Sequence, residues 1–599
     1  MEATENKKGS GGAFIIQNHL NQEIFTPEDF NEEQQMMKAA VKEFIDREVW
    51  PQKERFEKKD YGLTKSLMEQ AGSLGFLSVS VPEAYGGLGM GFVSSMLVCD
   101  YISGATGSFS TAFGAHTGIG TLPITLYGTE EQKQKYLPKL GSGEWFGSYC
   151  LTEPGAGSDA NSGKTKAVLS EDGTHYKISG QKMWISNAGF ASLMIVFARI
   201  EDDKNITGFI VPYEPENGIR LGEEENKLGI HASSTRQVFF SETLVPVENM
   251  LGERGGGFKI AMNALNVGRV KLGVACLDAQ RRVTTEAIKY ANERVQFKTP
   301  ISQFGAIKEK IARMASSCYA GESACYRAAK EIEDRIQYFI SQGLSHQEAE
   351  LKGVEDFAVE CSIIKVGASE DVQNCADEGI QIFGGMGFSA DTPMESAWRD
   401  ARIGRIYEGT NEINRMLSVG MLLKKGMKGQ IDLMAAVMQA VAELGTNESS
   451  KNASGTILTE EQNLIHNFKQ LFLMLTGNAV QKYGTKLEDH QQVLLSLSDI
   501  LIEIYFSESA LLRTLKNCER EGAEAQKTQQ ALVQHYVYEA HDTVLKKAKE
   551  VILSISKGAE QKQLLEVVSK SCSYSDYPNI VYVKTEIADR FISENSYFL

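Results

Sequence analysis

The run from Arg405 to Asn411 contains a carboxylate whose neighbours suit it to act as a base. Its sequence, Arg-Ile-Tyr-Glu-Gly-Thr-Asn, places Glu408 among apolar and glycine residues at the end of a helix-forming pattern. A glutamate in water is too weak a base to remove a weakly acidic proton, so such a site must raise the pKa by excluding solvent. A single Glu beside Arg and Tyr is more often a surface or ion-paired residue, and this run alone leaves both interpretations open.

Three upstream motifs bear on that choice. They are Leu151–Asp159 (LTEPGAGSD), Lys182–Asn187 (KMWISN) and Gln381–Phe388 (QIFGGMGF). The glycines of the first motif would let the backbone approach phosphate groups closely, because glycine has no Cβ. Gly-rich loops are usually only loops, however, and Trp184 by itself is more often a core aromatic than a cofactor contact.

Taken together, in this order and at this approximate spacing, the four motifs resemble those of the flavin-dependent acyl-CoA dehydrogenases. The resemblance covers roughly residues 28 to 422. Within the family, the very-long-chain acyl-CoA dehydrogenases are the most similar branch, on the runs Phe113–His116, Leu265–Arg269 and Gln303–Gly305. The resemblance implies FAD as cofactor and acyl-CoA as substrate.

The implied reaction is α,β-dehydrogenation of a long-chain acyl-CoA to trans-2-enoyl-CoA. A base must remove the α-proton while an acceptor takes hydride from the β-carbon, and since no side chain accepts hydride, a redox cofactor is required. Glu408 is predicted to be the base. In relatives that use another base, the carboxylate directly precedes the arginine of a bundle helix, and this chain has Gly268 there, followed by Arg269. The electrons are expected to pass to an electron-transfer flavoprotein.

The resemblance also implies contacts for individual residues. Those expected near the flavin ring and phosphates are Leu151, Thr152, Gly157, Ser158, Trp184, Ile185 and Ser186. Those expected to reach the pyrophosphate and adenine of FAD, across a subunit boundary, are Arg294, Gln296, Phe304, Gln381, Gly384, Gly385, Thr410 and Asn411. Those expected to contact acyl-CoA are Ser158, Asn266, Arg269 and Gly409. The family's His-Gln pair near the cofactor is replaced by Phe304-Gly305.

Small residues at three positions bear on the acyl cavity. Gly114, Ala115 and Gly118 would deepen it, or would instead permit close packing of helices. The sequence supports both interpretations equally.

Composition excludes several classes of function. The formal net charge of −16 argues against nucleic acid as the main partner, because phosphate binding needs a basic surface. The nine cysteines include no Cys-x-x-Cys pair, so neither a disulfide framework nor a structural zinc site is indicated. No His-Glu-x-x-His run or Asp-rich calcium loop occurs, and we predict no catalytic metal. The cysteine usage and the N-terminal residues favour a cytoplasmic protein.

The order of patterns predicts an α+β multidomain protein with an acyl-CoA dehydrogenase-like fold. We predict a disordered tail over residues 1–25, an N-terminal helical domain over 26–148 and a middle β-barrel or sandwich domain over 149–259. A helical bundle domain over 260–422 follows, and an extra C-terminal helical domain occupies 423–599. Helical spacing of apolar residues and period-two alternation distinguish the helical parts from the β part.

The extra C-terminal domain implies a homodimer, because in the very-long-chain branch it covers the face that shorter members use to form tetramers. Residues 424–444, with Lys424, Lys425 and Lys428 before an amphipathic segment, would allow peripheral contact with the inner membrane surface. Two alternative functions remain open. An acyl-CoA oxidase would let oxygen reach the reduced flavin, and a non-catalytic assembly protein would keep only the fold.

Overall fold

The N-terminal part of the chain is helical. The computed structural model describes residues 9–17, 24–446 and 457–599. The predicted helix start at Thr26 is a single 3-10 turn, Pro27–Asp29, closed by a capping box. The first α-helix begins later, where Asn31 accepts the main-chain N–H of Gln34. The helices are α1 Glu32–Phe44, α2 Lys53–Glu57, α3 Tyr61–Ser73, α4 Phe92–Ile102, α5 Gly107–Gly114, α6 Leu122–Tyr127 and α7 Glu130–Ser142.

A β domain follows, as predicted. Its strands are β1 Gly147–Cys150, β2 Lys166–Leu169, β3 His175–Ser186, β4 Leu193–Ile200, β5 Thr207–Pro212, β6 Ile219–Glu224, β7 Thr235–Pro246 and β8 Met250–Leu251. They pair in the order β6-β7-β3-β2-β4-β5-β8, and β1 pairs with β4 in parallel. The apolar runs of β4 and β5 are buried almost throughout, whereas β3 alternates more and presents one face outward.

The helical bundle carries the motifs Gln381–Phe388 and Arg405–Asn411. It comprises α8 Gly257–Val274, α9 Leu277–Glu293, α10 Gly305–Ser341, α11 His346–Asp356, α12 Ala358–Phe383, α13 Met394–Ala401 and α14 Asn411–Met427, with a small hairpin of β9 Val295–Gln296 and β10 Thr299–Pro300. Central helix α12 packs against α8, α9, α10 and α14. Residues 257–293 are long and apolar enough to cross a membrane by composition alone, but 78% of their most apolar window is buried in the protein.

The predicted disordered tail is wrong for residues 9–17. Ala13–Ile15 form a buried 3-10 turn, and the Phe14 ring packs edge-on against Tyr505 with ring centroids 4.8 Å apart. The main-chain N–H of Gly12 donates to the Glu360 carboxylate at 2.5 Å. The buried side chains of Ala13–Ile15 pack this N-terminal segment against the C-terminal helices. Residues 1–8 and 18–23 lie outside the described residues.

The C-terminal helices form a domain packed onto the bundle. They are α15 Leu433–Thr446, α16 Thr459–Tyr483, α17 Gln491–Glu521, α18 Lys527–Ile555, α19 Gly558–Ser571 and α20 Ile580–Glu594. Of the lysines predicted to face lipid, Lys425 is buried and pairs with Asp356 at 2.5 Å, so that part of the prediction is wrong. Lys424 and Lys428 are exposed, as are Met434 and Met438. Membrane contact through 424–444 stays a prediction.

Buried ion pairs join the C-terminal domain to the rest of the protein. Arg513 on α17 is buried and reaches Glu322 on α10 at 2.6 Å and Glu28 near the N-terminus at 2.6 Å. Arg281 on α9 contacts Glu322 at 2.7 Å from the other side. Burial opposes ionisation of Glu28, but the charge and hydrogen bonds of Arg513 outweigh it and lower the pKa of Glu28 to about 2. Glu28 is therefore ionised at neutral pH.

Replacing Arg513 should weaken the whole molecule. Arg513→Met removes one of the two cations that pair with the buried carboxylate of Glu322, and breaking a buried pair costs about 3–5 kcal/mol. Urea unfolding followed by circular dichroism measures this loss. The matched control is Arg520→Met on the same helix, whose side chain is 38% exposed and lies 3.5 Å from Asp29, and there we expect a loss of about 1 kcal/mol or less. Equal losses in the two variants would contradict the network's role.

Candidate active site

Glu408 lines a partly open cavity. Glu408 lies in the turn between the 3-10 helix Arg402–Arg405 and α14. Its Oε2 atom is shielded from solvent and has no hydrogen-bond partner among the described residues. Removal from water raises the pKa of Glu408 to about 7, an effect that the charges of Arg269 and Lys365 partly oppose. The carboxylate thus has the strength that a base working near neutral pH requires.

The backbone of Glu408 is held in an unfavourable conformation. Its φ is +57°, and that of Gly409 is +82°. A non-glycine residue in the left-handed region costs about 1–2 kcal/mol, so its neighbours must hold it there. The side-chain amide of Asn414 donates to the main-chain oxygens of Glu408, at 3.3 Å, and Gly409, at 2.8 Å. Lys365 adds a bond to the Gly409 oxygen at 2.8 Å.

Gly268 is the residue that leaves room for this carboxylate. A Cβ placed on Gly268 would lie 2.8 Å from Oε2 of Glu408, closer than two such atoms can approach. The sequence indicated only that Gly268 cannot itself be the base. The structure adds that any side chain at this position on α8 would displace Glu408.

The cavity has a volume of about 210 Å³ and runs between the N-terminal helices and the bundle. Ser186 at the end of β3, Gly268 on α8 and Glu408 line it together. Gly114 also lines it, and a Cβ there would meet no atom within 4 Å. Gly114 therefore widens the cavity and does not serve close helix packing, which decides between the two interpretations that the sequence supported at this position.

Trp184, two residues before the cavity-lining Ser186, presents a flat apolar surface. It has φ +62° at a register shift between Lys182 and Ile185 in β3, and 53% of it is exposed. The main-chain N–H of Met183 donates to Thr152 at 2.9 Å, so this irregular part of β3 lies next to the end of β1. An exposed indole in a strained conformation suits stacking against a planar ring. This arrangement fits the flavin that the motifs imply.

The other residues predicted to bind this part of the cofactor differ in their exposure to solvent. Around Gly157 there is open space for a close approach, and Ser158 is exposed. Leu151 is buried, with its main-chain oxygen 3.3 Å from Nζ of Lys182. The Ile185 side chain lies in the core of the β domain, so only its main chain is left to contact a cofactor. Among the described residues, no group of His, Cys, Asp and Glu is placed to hold a metal ion.

The second predicted set lies away from this cavity. Arg294 and Gln296 are exposed on and beside the β9–β10 hairpin, with Phe304 partly buried close by. Around Gly384 and Gly385, at the end of α12, a Cβ would meet nothing within 4 Å, and Gln381 is exposed in the last turn of that helix. None of these residues lines the cavity that contains Glu408. One chain alone therefore does not bring the two sets together.

Four of the predicted ligands lie at or behind the Glu408 turn. Asn411 is buried, and its side chain bonds to Lys365 at 2.6 Å and Glu370 at 2.9 Å. Its contact to FAD stays a prediction. Arg269 is buried with Asn266 at 2.7 Å, and its Nε lies 3.4 Å from the Glu408 main-chain oxygen. Their contacts to acyl-CoA stay a prediction. The Thr410 hydroxyl caps α14.

Sequence reasoning missed Lys365 and Asn414. Lys365 is a lone lysine within the apolar run Ile363–Ala368 of α12, and burial lowers its pKa to about 8, partly opposed by Glu408. Asn414 follows Glu408 by six residues, which places it in the first turn of α14. A buried lysine in an apolar helix was the available signal, because such a charge needs a partner.

Comparison with known proteins agrees with this site. Family models described as "Acyl-CoA dehydrogenase", for the N-terminal, middle and C-terminal domains, match residues 31–144, 148–243 and 255–422, and a second C-terminal model matches 467–570. A crystal structure of an acyl-CoA dehydrogenase complexed with FAD from Bacillus anthracis is 40% identical, with a TM-score of 0.94, over 98% of this chain and 100% of that one.

Two curated relatives extend the comparison. A "Probable acyl-CoA dehydrogenase" of Bacillus subtilis (strain 168) is 40% identical over 587 residues, or 98% of each chain. The very long-chain specific acyl-CoA dehydrogenase of Homo sapiens is 38% identical over 425 residues, which are 69% of this chain and 61% of that protein. The predicted family and its very-long-chain branch are thereby confirmed. The chain belongs to the acyl-CoA dehydrogenase family.

Proposed function

We propose that this enzyme oxidises long-chain acyl-CoA to trans-2-enoyl-CoA in fatty-acid β-oxidation, with FAD as cofactor, and passes the electrons to an electron-transfer flavoprotein. The observation that carries the proposal is Oε2 of Glu408, which is shielded from solvent, has no partner among the described residues and lies in a cavity that Glu408 shares with Ser186. FAD, when bound, supplies the two-electron acceptor that no side chain can replace. The FAD complex of the similar Bacillus anthracis enzyme supports this cofactor.

Glu408 has two tasks in the proposed reaction. Its carboxylate removes the α-proton, and its pKa of about 7 makes proton transfer efficient near neutral pH. Its main-chain N–H donates to no described residue, which leaves it available to polarise the thioester carbonyl. A preorganised N–H aimed at a developing oxyanion stabilises the transition state more than the ground state.

Long-chain preference is supported by the open space at Gly114 and by the similarity to the human very long-chain specific enzyme. Initial rates with butyryl-, octanoyl- and palmitoyl-CoA test it, and a higher kcat/KM for butyryl-CoA than for palmitoyl-CoA would refute it. The same assay, run with an electron-transfer flavoprotein and then with oxygen alone, separates a dehydrogenase from an oxidase by the yield of peroxide.

Glu408→Gln should remain a yellow, FAD-containing protein that has lost turnover. The amide keeps the shape of the carboxylate but cannot accept the proton, and loss of a general base costs about 10²–10⁴-fold in kcat. Stopped-flow absorbance of the bound flavin after addition of palmitoyl-CoA measures the effect. Glu412→Gln, four residues further on at an exposed position, is the matched control and should keep normal activity. Rapid flavin reduction in Glu408→Gln would rule out the proposed base.

The pH dependence should report the Glu408 carboxyl. Because only the ionised form accepts a proton, kcat/KM should fall as the pH drops below about 7. The charge of Lys365 lowers the Glu408 pKa, so Lys365→Met should move this acidic limb to higher pH. Exposed Lys482 on α16 offers a control, and Lys482→Met should leave the profile unchanged. If the acidic limb of the kcat/KM profile stayed at the same pH in Lys365→Met, Glu408 would not be the group that titrates in that limb.

A homodimer would complete the cofactor site. Phe297 and Phe388 are 90% and 88% exposed beside the predicted FAD contacts that do not reach the Glu408 cavity. Large exposed aromatics are typical of surfaces that are covered by a partner.

Mixed dimers test this arrangement directly. We expect Arg294→Ala to lose FAD and activity, and co-expression with inactive Glu408→Gln should recover activity, because one of the two sites in each mixed dimer then carries neither change. If each site belonged to a single subunit, every site in the mixture would carry one defect. Failure to recover activity in a dimer confirmed by analytical ultracentrifugation would contradict the shared site.

A further inference from the structure

The β9–β10 hairpin is short and exposed. Residues 293–298 are all exposed. Phe297 and Lys298 at the tip have φ of +50° and +64°, in the left-handed region that is unfavourable for residues other than glycine. At the base, the main-chain N–H of Ile301 donates to the main-chain oxygen of Arg294 at 2.8 Å. Because a two-stranded hairpin is only marginally stable by itself, the position of Arg294 depends on what holds the two flanks of the hairpin.

The last turn of α9, which leads into this hairpin, is bound to the end of α20. The side-chain amide of Asn292 donates to the main-chain oxygen of Ile592 at 3.0 Å and to Oδ1 of Asn595 at 2.9 Å. Asn595 ends α20 with φ +54°, a conformation that asparagine adopts more readily than most residues. Two turns before Asn292 on the same face of α9, the Thr285 hydroxyl accepts the main-chain N–H of Tyr597 at 3.1 Å. The segment Asn595–Tyr597, called the C-terminal segment below, therefore holds α9 at two points.

Helix α20 also contacts the chain that leaves the hairpin. Near the start of α10, Lys308 pairs with Asp589 at 2.5 Å and Glu309 pairs with Lys584 at 2.9 Å. Asp589 and Lys584 both belong to α20. One helix of the C-terminal domain thus binds the chain before the hairpin and the chain after it.

The opposite side of the same turn of α9 joins the hairpin to α12. Tyr290 lies two residues before Asn292, which is roughly 200° around the helix, and it stacks on Phe383 with ring centroids 4.0 Å apart. Phe383 is the last residue of α12 and directly precedes Gly384 and Gly385. The end of α9 therefore connects the two groups of predicted FAD contacts that lie away from the Glu408 cavity, with α12 on one side and the C-terminal segment on the other.

We propose that the C-terminal segment positions the FAD-binding surface formed by the hairpin and the end of α12, with Asn292 and Asn595 as positioning residues. This rests on the proposed function, in which Arg294 contacts FAD. None of the residues Asn595–Tyr597 lines the cavity that contains Glu408. The segment therefore acts on retention of the cofactor and takes no part in removal of the α-proton.

The test measures release of FAD from the purified holoenzyme, without substrate, as the rise of flavin fluorescence after dilution. Asn292→Asp keeps the shape of the side chain but removes its N–H donors, so a carboxylate faces two acceptors. FAD release should become about tenfold faster, as expected when a hydrogen-bonded contact is lost and its acceptors stay unsatisfied.

Asn595→Asp is the matched control. It adds the same charge at the other end of the contact, but it keeps the acceptor oxygen and tolerates the left-handed backbone. FAD release from this variant should stay at the wild-type rate. Thermal melting followed by circular dichroism in excess FAD checks that both variants fold.

Two results would overturn the positioning role. One is release at the wild-type rate from Asn292→Asp, whether or not its melting temperature falls. The other is equally fast release from Asn292→Asp and Asn595→Asp, because added charge alone would then explain the loss.

Arg294→Ala separates this proposal from the proposed function. It should release FAD at least as fast as Asn292→Asp. Fast release from Arg294→Ala together with wild-type release from Asn292→Asp would overturn the positioning role alone. Wild-type release from Arg294→Ala would show that the hairpin does not contact FAD, and it would refute both the shared cofactor site and the positioning role.

Discussion

The active site depends on keeping one carboxylate out of water without giving it a hydrogen-bond partner. Glu408 meets this condition because its backbone turns through the left-handed region and α8 has a glycine at the point where the carboxylate arrives. Asn414 and Lys365 stabilise that backbone conformation from behind. Strain in the turn and desolvation of the acid both cost stability; the strained turn places the carboxylate, and the desolvation raises its pKa.

The cations near Glu408 limit how far its pKa rises. Without Arg269 and Lys365, burial alone would favour the protonated acid more strongly, and less base would be available at neutral pH. Both cations contact the main chain of the turn and do not pair directly with the carboxylate. The same two side chains thus hold the backbone in place and adjust the pKa, while Oε2 stays free for the substrate proton.

Charge also decides how the domains are joined. Arg513 from the C-terminal domain is held between Glu322 of the bundle and Glu28 near the N-terminus. These groups are far apart in sequence, so each is an isolated charged residue until the fold brings them together. Buried pairs of this kind add little net stability over apolar packing, but an arrangement of the domains that separated the partners would leave a buried charge uncompensated. The C-terminal helices are therefore placed specifically against the helices that shape the acyl cavity.

From the sequence alone, four motifs at their spacing determined the family and the domain order and predicted Glu408 as the base, because these inferences depend on residue types along a continuous stretch of chain. Helical and alternating apolar periods likewise separated the helical parts of the chain from the β domain. Only the tertiary structure decided that Ala13–Ile15 dock in the core, that Asn411 supports the turn and that Lys365 and Asn414 hold Glu408. These outcomes depend on contacts between segments distant in sequence, and local patterns carry no information about which polar groups will meet when apolar surfaces pack.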